Sequence, residues 1–62
     1  MFSSLDSLIE RSFKLGQENP DLEEDQITRH LAKIIVGEKI HDDDAFEIGR
    51  RAYDKGQLAV IA

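Results

Sequence analysis

The segment Ile40–Gly56, "IHDDDAFEIGRRAYDKG", carries the pattern on which the predicted fold depends. Three consecutive aspartates precede a helix-compatible run. Asp42 or Asp43 is predicted to cap this helix, because a carboxylate accepts hydrogen bonds from the free amides of a first turn, and the other aspartates complement the positive end of the helix dipole. Gly56 is predicted to end the helix after Tyr53.

Small residues recur along one side of this third helix, at spacings of four, three and four. Glycine inside a helix costs about 1 kcal/mol relative to alanine, so Gly49 indicates that another helix approaches closely there. The contact is either internal, against the second helix, or the seam of a homodimer. The thin core of so short a chain favours the homodimer. The residues predicted to form this partner or dimer contact are Ala45, Phe46, Gly49, Ala52, Tyr53, Gly56, Leu58, Val60 and Ile61.

Two further helices are predicted upstream. The first runs from about Ser4 to about Leu15, where apolar residues recur at helical spacing, and is ended by Gly16. The second begins at a capping box of the form D-x-x-E, Asp21–Glu24, and Gly37 is its predicted C-cap. These boundaries leave the turn "GQENPD" before the second helix and the short connection "GEKIH" after it.

The chain is therefore predicted to be one all-α domain, residues 1–62, with three helices and a short apolar C-terminal tail. The tail, "QLAVIA", is expected to dock as an extra helical turn or as a strand, and its composition does not decide between the two. The predicted core consists of Leu5, Leu8, Ile9, Phe13, Ile27, Leu31, Ile34, Ile35, Phe46, Ile48 and Tyr53.

Two heptapeptides of the chain resemble each other. "RSFKLGQ", from Arg11, and "RAYDKGQ", from Arg51, share an arginine, an aromatic residue, a glycine and a glutamine in the same order. Both glycines are interpreted as caps at the ends of helices. Two copies are too few for a solenoid, which needs about three units, so chance is the favoured explanation of the similarity.

The charge and the composition limit the classes of function that the chain can have. Thirteen acidic against eight basic residues give a formal net charge of −5, which opposes binding to nucleic acid and to anionic membranes and favours a partner with a basic surface. The N-terminal segment "MFSSLDSLIERSF" has no basic n-region and no continuous apolar stretch, so neither a signal peptide nor a membrane span is predicted. The absence of cysteine is compatible with the cytoplasm, which is the predicted location.

No catalytic, cofactor-binding or metal-binding residue is predicted. The chain has no thiol nucleophile, glycine-rich phosphate loop or nucleophile elbow. His41 and Asp42–Asp44 are metal-ligand types, but consecutive side chains at a helix start point in different directions and do not converge on one ion. We therefore expect a protein that is not an enzyme and that holds no metal or cofactor.

The predicted function is a small acidic protein-interaction module, an adaptor or inhibitor that docks on a larger protein and covers a basic surface. The residues of the predicted acidic docking surface are Glu23, Glu24, Asp25, Asp42, Asp43 and Asp44. The alternative for these residues is that they are solvated helix starts. The alternative function is a small helix-turn-helix regulator that binds DNA, although aspartates at the start of the third helix would face the negative groove.

Overall fold

The structure is a computed structural model that describes residues 4–61. These residues form three α-helices and no strand: α1, Ser4–Glu18; α2, Glu24–Gly37; and α3, Ala45–Ile61. The prediction of an all-α, three-helix fold is confirmed for this part of the chain.

α1 and α3 are the most closely packed pair of helices. A Cβ atom placed on Gly16 of α1 would overlap the carbonyl oxygen of Tyr53 and would lie 2.8 Å from the amide nitrogen of Gln57. A Cβ atom placed on Gly56 of α3 would overlap the carbonyl oxygen of Phe13. The two backbones are therefore in direct contact, and only a residue without a Cβ atom fits at either glycine.

Contacts further along the pair show that α1 and α3 run in the same direction. A Cβ atom on Gly49, early in α3, would lie 3.2 Å from Cδ1 of Leu8 and 3.3 Å from Oγ of Ser12, both of which precede Gly16 in α1. α2 runs in the opposite direction, because Glu38, which follows it, accepts a hydrogen bond from Ser7 near the start of α1.

The predictions that Gly16 ends the first helix and that Gly56 ends the third are wrong. α1 continues to Glu18 and α3 to Ile61, and both glycines are buried within their helices. No glycine in residues 4–61 has a positive φ, the conformation for which a helix C-cap selects glycine. The close approach of α1 to α3 explains these glycines instead.

The capping box predicted at Asp21–Glu24 is also wrong. α2 has Glu23 at its N-cap, and the backbone amide of Glu23 donates a 3.1 Å hydrogen bond to the side-chain oxygen of Gln26. This boundary places Leu22 just before the cap and Ile27 four positions into the helix, the arrangement of a hydrophobic staple. Leu22 packs against the core cluster that contains Ile27, so apolar packing sets the start of α2.

Gly37 is the last residue of α2 rather than its cap. Glu38 is the C-cap, and Lys39 after it has a φ of 55°, in the left-handed region. The amide of Lys39 donates to the carbonyl of Val36 at 3.1 Å and the amide of Ile40 donates to that of Ile35 at 3.0 Å. These two bonds form a Schellman motif in which a lysine stands where glycine is usual.

α3 begins at Ala45, so the residue at its N-cap position is Asp44 and not the predicted Asp42 or Asp43. The backbone carbonyl of Asp42 accepts a 3.1 Å hydrogen bond from the amide of Ala45, and that of Asp44 accepts a 2.9 Å bond from the amide of Ile48. The aspartate run thus forms a turn that leads directly into the helix.

The C-terminal tail continues α3 as far as Ile61, and Ala62 lies outside the described residues. Leu58, Val60 and Ile61 all have more than half of their surface exposed. The described part of the tail is therefore neither a strand nor a separate turn docked on the domain.

The core is smaller than the prediction. Leu8, Ile27, Leu31 and Tyr53 are buried as predicted. The half-buried members of the predicted core are Leu5, Phe13, Ile34, Ile35 and Ile48. Ile9 and Phe46 do not belong to it, because they are 41% and 40% exposed. The buried residues that the prediction missed are Ser12, Gly16, Ala45, Gly49, Ala52 and Gly56.

The backbone contact can be tested with Gly56→Ala. The added methyl group must push α1 and α3 apart, so we expect a loss of about 2 kcal/mol in the free energy of unfolding. Gly37→Ala is the matched control, since nothing lies within 4 Å of a Cβ atom there. That variant is expected to gain about 0.5 kcal/mol from helix propensity. Urea unfolding followed by circular dichroism measures both, and a Gly56→Ala variant as stable as the wild type would rule out the backbone contact.

Candidate functional site

The small-residue stripe of α3 packs inside the domain. Its four residues, Ala45, Gly49, Ala52 and Gly56, are all buried, and the stripe meets α1 rather than the second helix alone. At Gly49, Cδ2 of Leu31 from α2 also comes within 3.2 Å of the Cβ position. The internal alternative accounts for the stripe, and a dimer has to use other residues.

Tyr53 and Gln57, next to the stripe, hold the turn between α1 and α2. The hydroxyl of Tyr53 donates a 2.6 Å hydrogen bond to the carbonyl oxygen of Asn19, and the side-chain amide of Gln57 donates to the carbonyl oxygen of Pro20. Tyr53, which the sequence places in a partner contact, is fully buried. Its role in this structure is to anchor the turn.

Arg50 ties α3 to the start of α2. Its guanidinium donates two hydrogen bonds to the carboxylate of Glu24, one of them 2.9 Å long, and Nε donates to Asp54 at 3.2 Å. The guanidinium carbon also lies 6.0 Å from the centre of the Tyr53 ring. The hydrogen bonds from Arg50, and then its charge, lower the pKa of Glu24 from the ordinary 4.5, although burial opposes this shift. The hydrogen bond to Glu24 in turn raises the pKa of Arg50.

A second ion pair holds the other end of α2. Nη2 of Arg11 lies 3.2 Å from Oε1 of Glu38, and the same oxygen accepts the hydrogen bond from Ser7. α2 is thus fastened near its start by a bond to α3 and just past its end by bonds to α1.

The residues of the predicted acidic docking surface fall into two separate groups. Glu23, Glu24 and Asp25 lie at the start of α2, and Asp42–Asp44 lie beyond its end, before α3. The fourteen residues of α2 separate them by about 20 Å at 1.5 Å per residue. All six are exposed, and Glu24 is paired with Arg50. Only the aspartate group forms a cluster without an ion pair in residues 4–61.

Four residues of the predicted partner contact are exposed. Leu58, Val60 and Ile61 have exposed side chains at the end of α3, and Phe46 has one near its start, close in sequence to the aspartates. The predicted contact therefore divides into a buried half, which packs on α1 and α2, and these exposed apolar residues.

A groove between α1 and α3 was not predicted as a site. It has a volume of about 220 Å³ and is lined by Ile9, Phe13, Ile48, Arg51, Ala52 and Lys55. Ile9, Phe13 and Ile48 were assigned to the core because their helical spacing is the same as that of buried residues, and Ala52 was assigned to the partner contact. The signal that distinguishes them is the pair of basic residues at i and i+4, Arg51 and Lys55, on the same side of α3.

Arg51 and Lys55 make no ion pair within residues 4–61. Opposite charges at i and i+4 favour ion pairs on a helix surface. Arg50 and Asp54 form such a pair, whereas Glu47 and Arg51, at the same spacing, do not form one within residues 4–61. Arg50 is thereby engaged within the domain, which weighs against its use as a contact to DNA phosphates.

Neither a metal-binding group nor a membrane-spanning helix is found in residues 4–61. No group of three or more histidine, aspartate or glutamate side chains in residues 4–61 is placed to hold a metal ion. Over the same residues, none of the helices combines the length and the apolar character that a membrane crossing requires.

Comparison of the chain with protein-family models, with curated proteins and with solved structures finds no match. No ligand, residue role or activity is therefore carried over from another protein. What bears on function is the packing and the surface of this chain.

The Arg50–Glu24 pair predicts a defined pH dependence. Because the pKa of Glu24 is lowered in the folded protein, its contribution to stability is complete above the ordinary value of 4.5 and is lost as the pH falls through the lowered pKa. The melting temperature of Glu24→Gln is therefore expected to fall below that of the wild type at pH 7, and the gap is expected to close in acid.

Asp25→Asn is the control for this experiment, since it removes a neighbouring carboxylate that makes no ion pair in residues 4–61. The difference in melting temperature between Asp25→Asn and the wild type should be smaller and less dependent on pH. Thermal unfolding between pH 2 and pH 7 measures both gaps. A Glu24→Gln gap that stays constant across this range would contradict the pairing.

Proposed function

We propose that the protein is a non-catalytic protein-interaction module that forms a homodimer and docks on a larger protein. The observation that carries the proposal is the exposed apolar end of α3, where Leu58, Val60 and Ile61 are 61%, 51% and 66% exposed. Burying a side chain of this size releases about 1.5–3 kcal/mol, and adjacent exposed apolar residues mark contacts between proteins.

The homodimer contact is assigned to this end of α3. In a domain this small only about 60% of the unfolded surface is buried, so association is a common source of added stability. The apolar side chains at this end of α3 are the groups that remain exposed. Two copies of α3 packed through Leu58 and Ile61 would bury them.

The larger partner is assigned to the aspartate cluster, Asp42–Asp44, with Phe46 beside it. The cluster has no cationic partner within residues 4–61, so its charge is available to a basic surface. An exposed aromatic residue next to a charged rim is a common composition for a binding contact. A cytoplasmic location belongs to the same proposal, and the absence of cysteine is compatible with it.

Light scattering tests the homodimer. We expect a dimeric mass for the wild type at micromolar concentration and a monomeric mass for the double variant Leu58→Gln/Ile61→Gln, which keeps the helix but removes the apolar contact. Val36→Gln, which changes an exposed apolar residue of α2, is the control and should remain dimeric. A wild type that stays monomeric at millimolar concentration would refute self-association.

Affinity capture tests the docking on a basic partner. The double variant Asp42→Asn/Asp43→Asn is compared with Asp21→Asn/Asp25→Asn, which removes the same charge at the opposite end of α2. We expect to capture proteins that the wild type and the control both retain and that the Asp42→Asn/Asp43→Asn variant loses. These proteins should elute when salt is added, because salt screens exposed charges. Equal retention by both variants would contradict the assignment. A gel-shift titration with duplex DNA is the parallel measurement, and submicromolar, salt-sensitive binding would favour the helix-turn-helix alternative.

A further inference from the structure

The helix pair α1 and α3 has a local two-fold relation that the residue contacts make visible. Gly16 approaches the carbonyl of Tyr53 and the amide of Gln57, while Gly56 approaches the carbonyl of Phe13 and, at 3.1 Å from the Cβ position, the amide of Gln17. Each contact becomes the other when forty is added to or subtracted from the residue numbers. The similar heptapeptides from Arg11 and from Arg51 therefore occupy equivalent positions in this pair.

The side chains at five pairs of equivalent positions are similar. The equivalent pairs are Leu8 and Ile48, Arg11 and Arg51, Phe13 and Tyr53, Gly16 and Gly56, and Gln17 and Gln57. Because α1 and α3 are parallel, the axis runs along the pair and relates its two open sides to each other. Each residue position on one side therefore has an equivalent position on the other, although the residues at equivalent positions are not all alike.

One of these sides is occupied by α2. Its Leu31 and Ile27 form the core cluster with Tyr53, and Leu31 reaches the Gly49 position beside Leu8. The residue just beyond its end, Glu38, is held by Arg11. The surface of the pair that binds the amphipathic helix α2 thus consists of an aliphatic residue, Leu8, an aromatic residue, Tyr53, and an arginine, Arg11, that binds a glutamate.

The opposite side presents the counterparts of these residues, and no helix of residues 4–61 covers them. Ile48 is equivalent to Leu8, Phe13 to Tyr53 and Arg51 to Arg11. Ile48, Phe13 and Arg51 all line the groove between α1 and α3. Ile48 and Phe13 are half-buried, whereas Leu8 and Tyr53 under α2 are fully buried. The packing of α2 on Tyr53 contributes to this difference in burial.

We propose that this groove binds an acidic amphipathic helix of a partner protein, in the manner in which the other side of the pair binds α2. The argument for an acidic helix is charge complementarity: Arg51 and Lys55 rim the groove and have no ion pair within residues 4–61, and the equivalent Arg11 takes a glutamate. The surface is separate from the apolar end of α3 and from the aspartate cluster.

Three differences between the sides define the ligand further. Glu10 occupies the position equivalent to Arg50, so the start of the bound helix does not meet the arginine that binds Glu24 on the first side. Lys55 replaces Leu15, which adds a second positive charge at the rim and calls for a second acidic residue on the bound helix. Ile9 replaces Gly49, so the space that admits Leu31 on the first side is filled. The bound helix therefore lies further from the pair than α2 does and presents smaller apolar side chains opposite Ile9.

The probe is a peptide with the sequence of α2 and its flanks, residues 21–40, and the substitution Leu31→Ala, because Ile9 fills the space that Leu31 occupies at Gly49 on the other side. Added with a fluorescent label to the full chain, it is expected to bind at a one-to-one ratio, measured by fluorescence anisotropy. In NMR spectra, the backbone amide signals of Ile9, Phe13, Ile48 and Ala52 are expected to change their chemical shifts when the peptide binds. A peptide that shows no binding at millimolar concentration overturns the proposal.

Charge-reversal variants locate the bound peptide. Arg51→Glu/Lys55→Glu is expected to weaken binding by about tenfold or more. Arg29→Glu/Lys33→Glu makes the same change in charge at the same spacing on the exposed face of α2, and it should weaken binding much less. A peptide with Glu38→Arg should bind the wild type more weakly and the Arg51→Glu/Lys55→Glu variant more tightly.

Two other outcomes would overturn the proposal. Peptide that exchanges with the chain's own α2 would shift Leu8 and Leu31 and would be insensitive to Arg51→Glu/Lys55→Glu. Groove shifts that grow with protein concentration in the absence of peptide would identify a second copy as the occupant. The groove variants retain Leu58, Ile61 and the aspartate cluster, so failure here leaves the proposed function standing, and failure of the α3 contact leaves the groove standing.

Discussion

The direct contact of the α1 and α3 backbones at Gly16 and Gly56 is the constraint on which the rest of the fold depends. At each glycine the hydrogen that replaces Cβ points at a carbonyl oxygen of the other helix, the geometry of a weak Cα–H···O contact. The approach brings Tyr53 and Gln57 within reach of the turn after α1, where they bond to Asn19 and Pro20. The turn so fixed directs α2 back along the pair.

α2 is held by a different set of forces. Its contact with the pair consists of large side chains, chiefly Ile27 and Leu31 against Tyr53, and of ion pairs near its two ends. Exposed ion pairs are worth at most about 1 kcal/mol each, so burial of the apolar residues dominates. The close packing of α1 on α3 also has a cost, because Oγ of Ser12 is buried without a hydrogen-bond partner in the described residues.

The helical spacing of apolar residues was sufficient to predict three helices and the buried positions Leu8, Ile27, Leu31 and Tyr53. The meaning of the glycines was not available from that spacing. Gly16 stands near the end of an apolar pattern, where a C-cap and a helix-packing glycine have the same sequence signature. The forty-residue similarity was the signal that could have separated them, since caps do not require a matching aromatic residue three positions earlier. Lys39 shows the converse, because the residue that does adopt the left-handed conformation is not a glycine.

The candidate binding surfaces were hidden for a related reason. Apolar periodicity reports that a residue is covered by something, and it does not distinguish a covering helix of the same chain from one supplied by another protein. Ile9, Phe13 and Ile48 have the spacing of core residues. A pair of parallel helices has two open sides, however, and in residues 4–61 α2 is the single helix that can cover one of them. The role proposed for Arg51 and Lys55 is inferred from the other side, where Arg11, the equivalent of Arg51, binds Glu38. Because the two sides are related by a two-fold axis, the contact of α2 with one side indicates which kind of helix the uncovered side would bind.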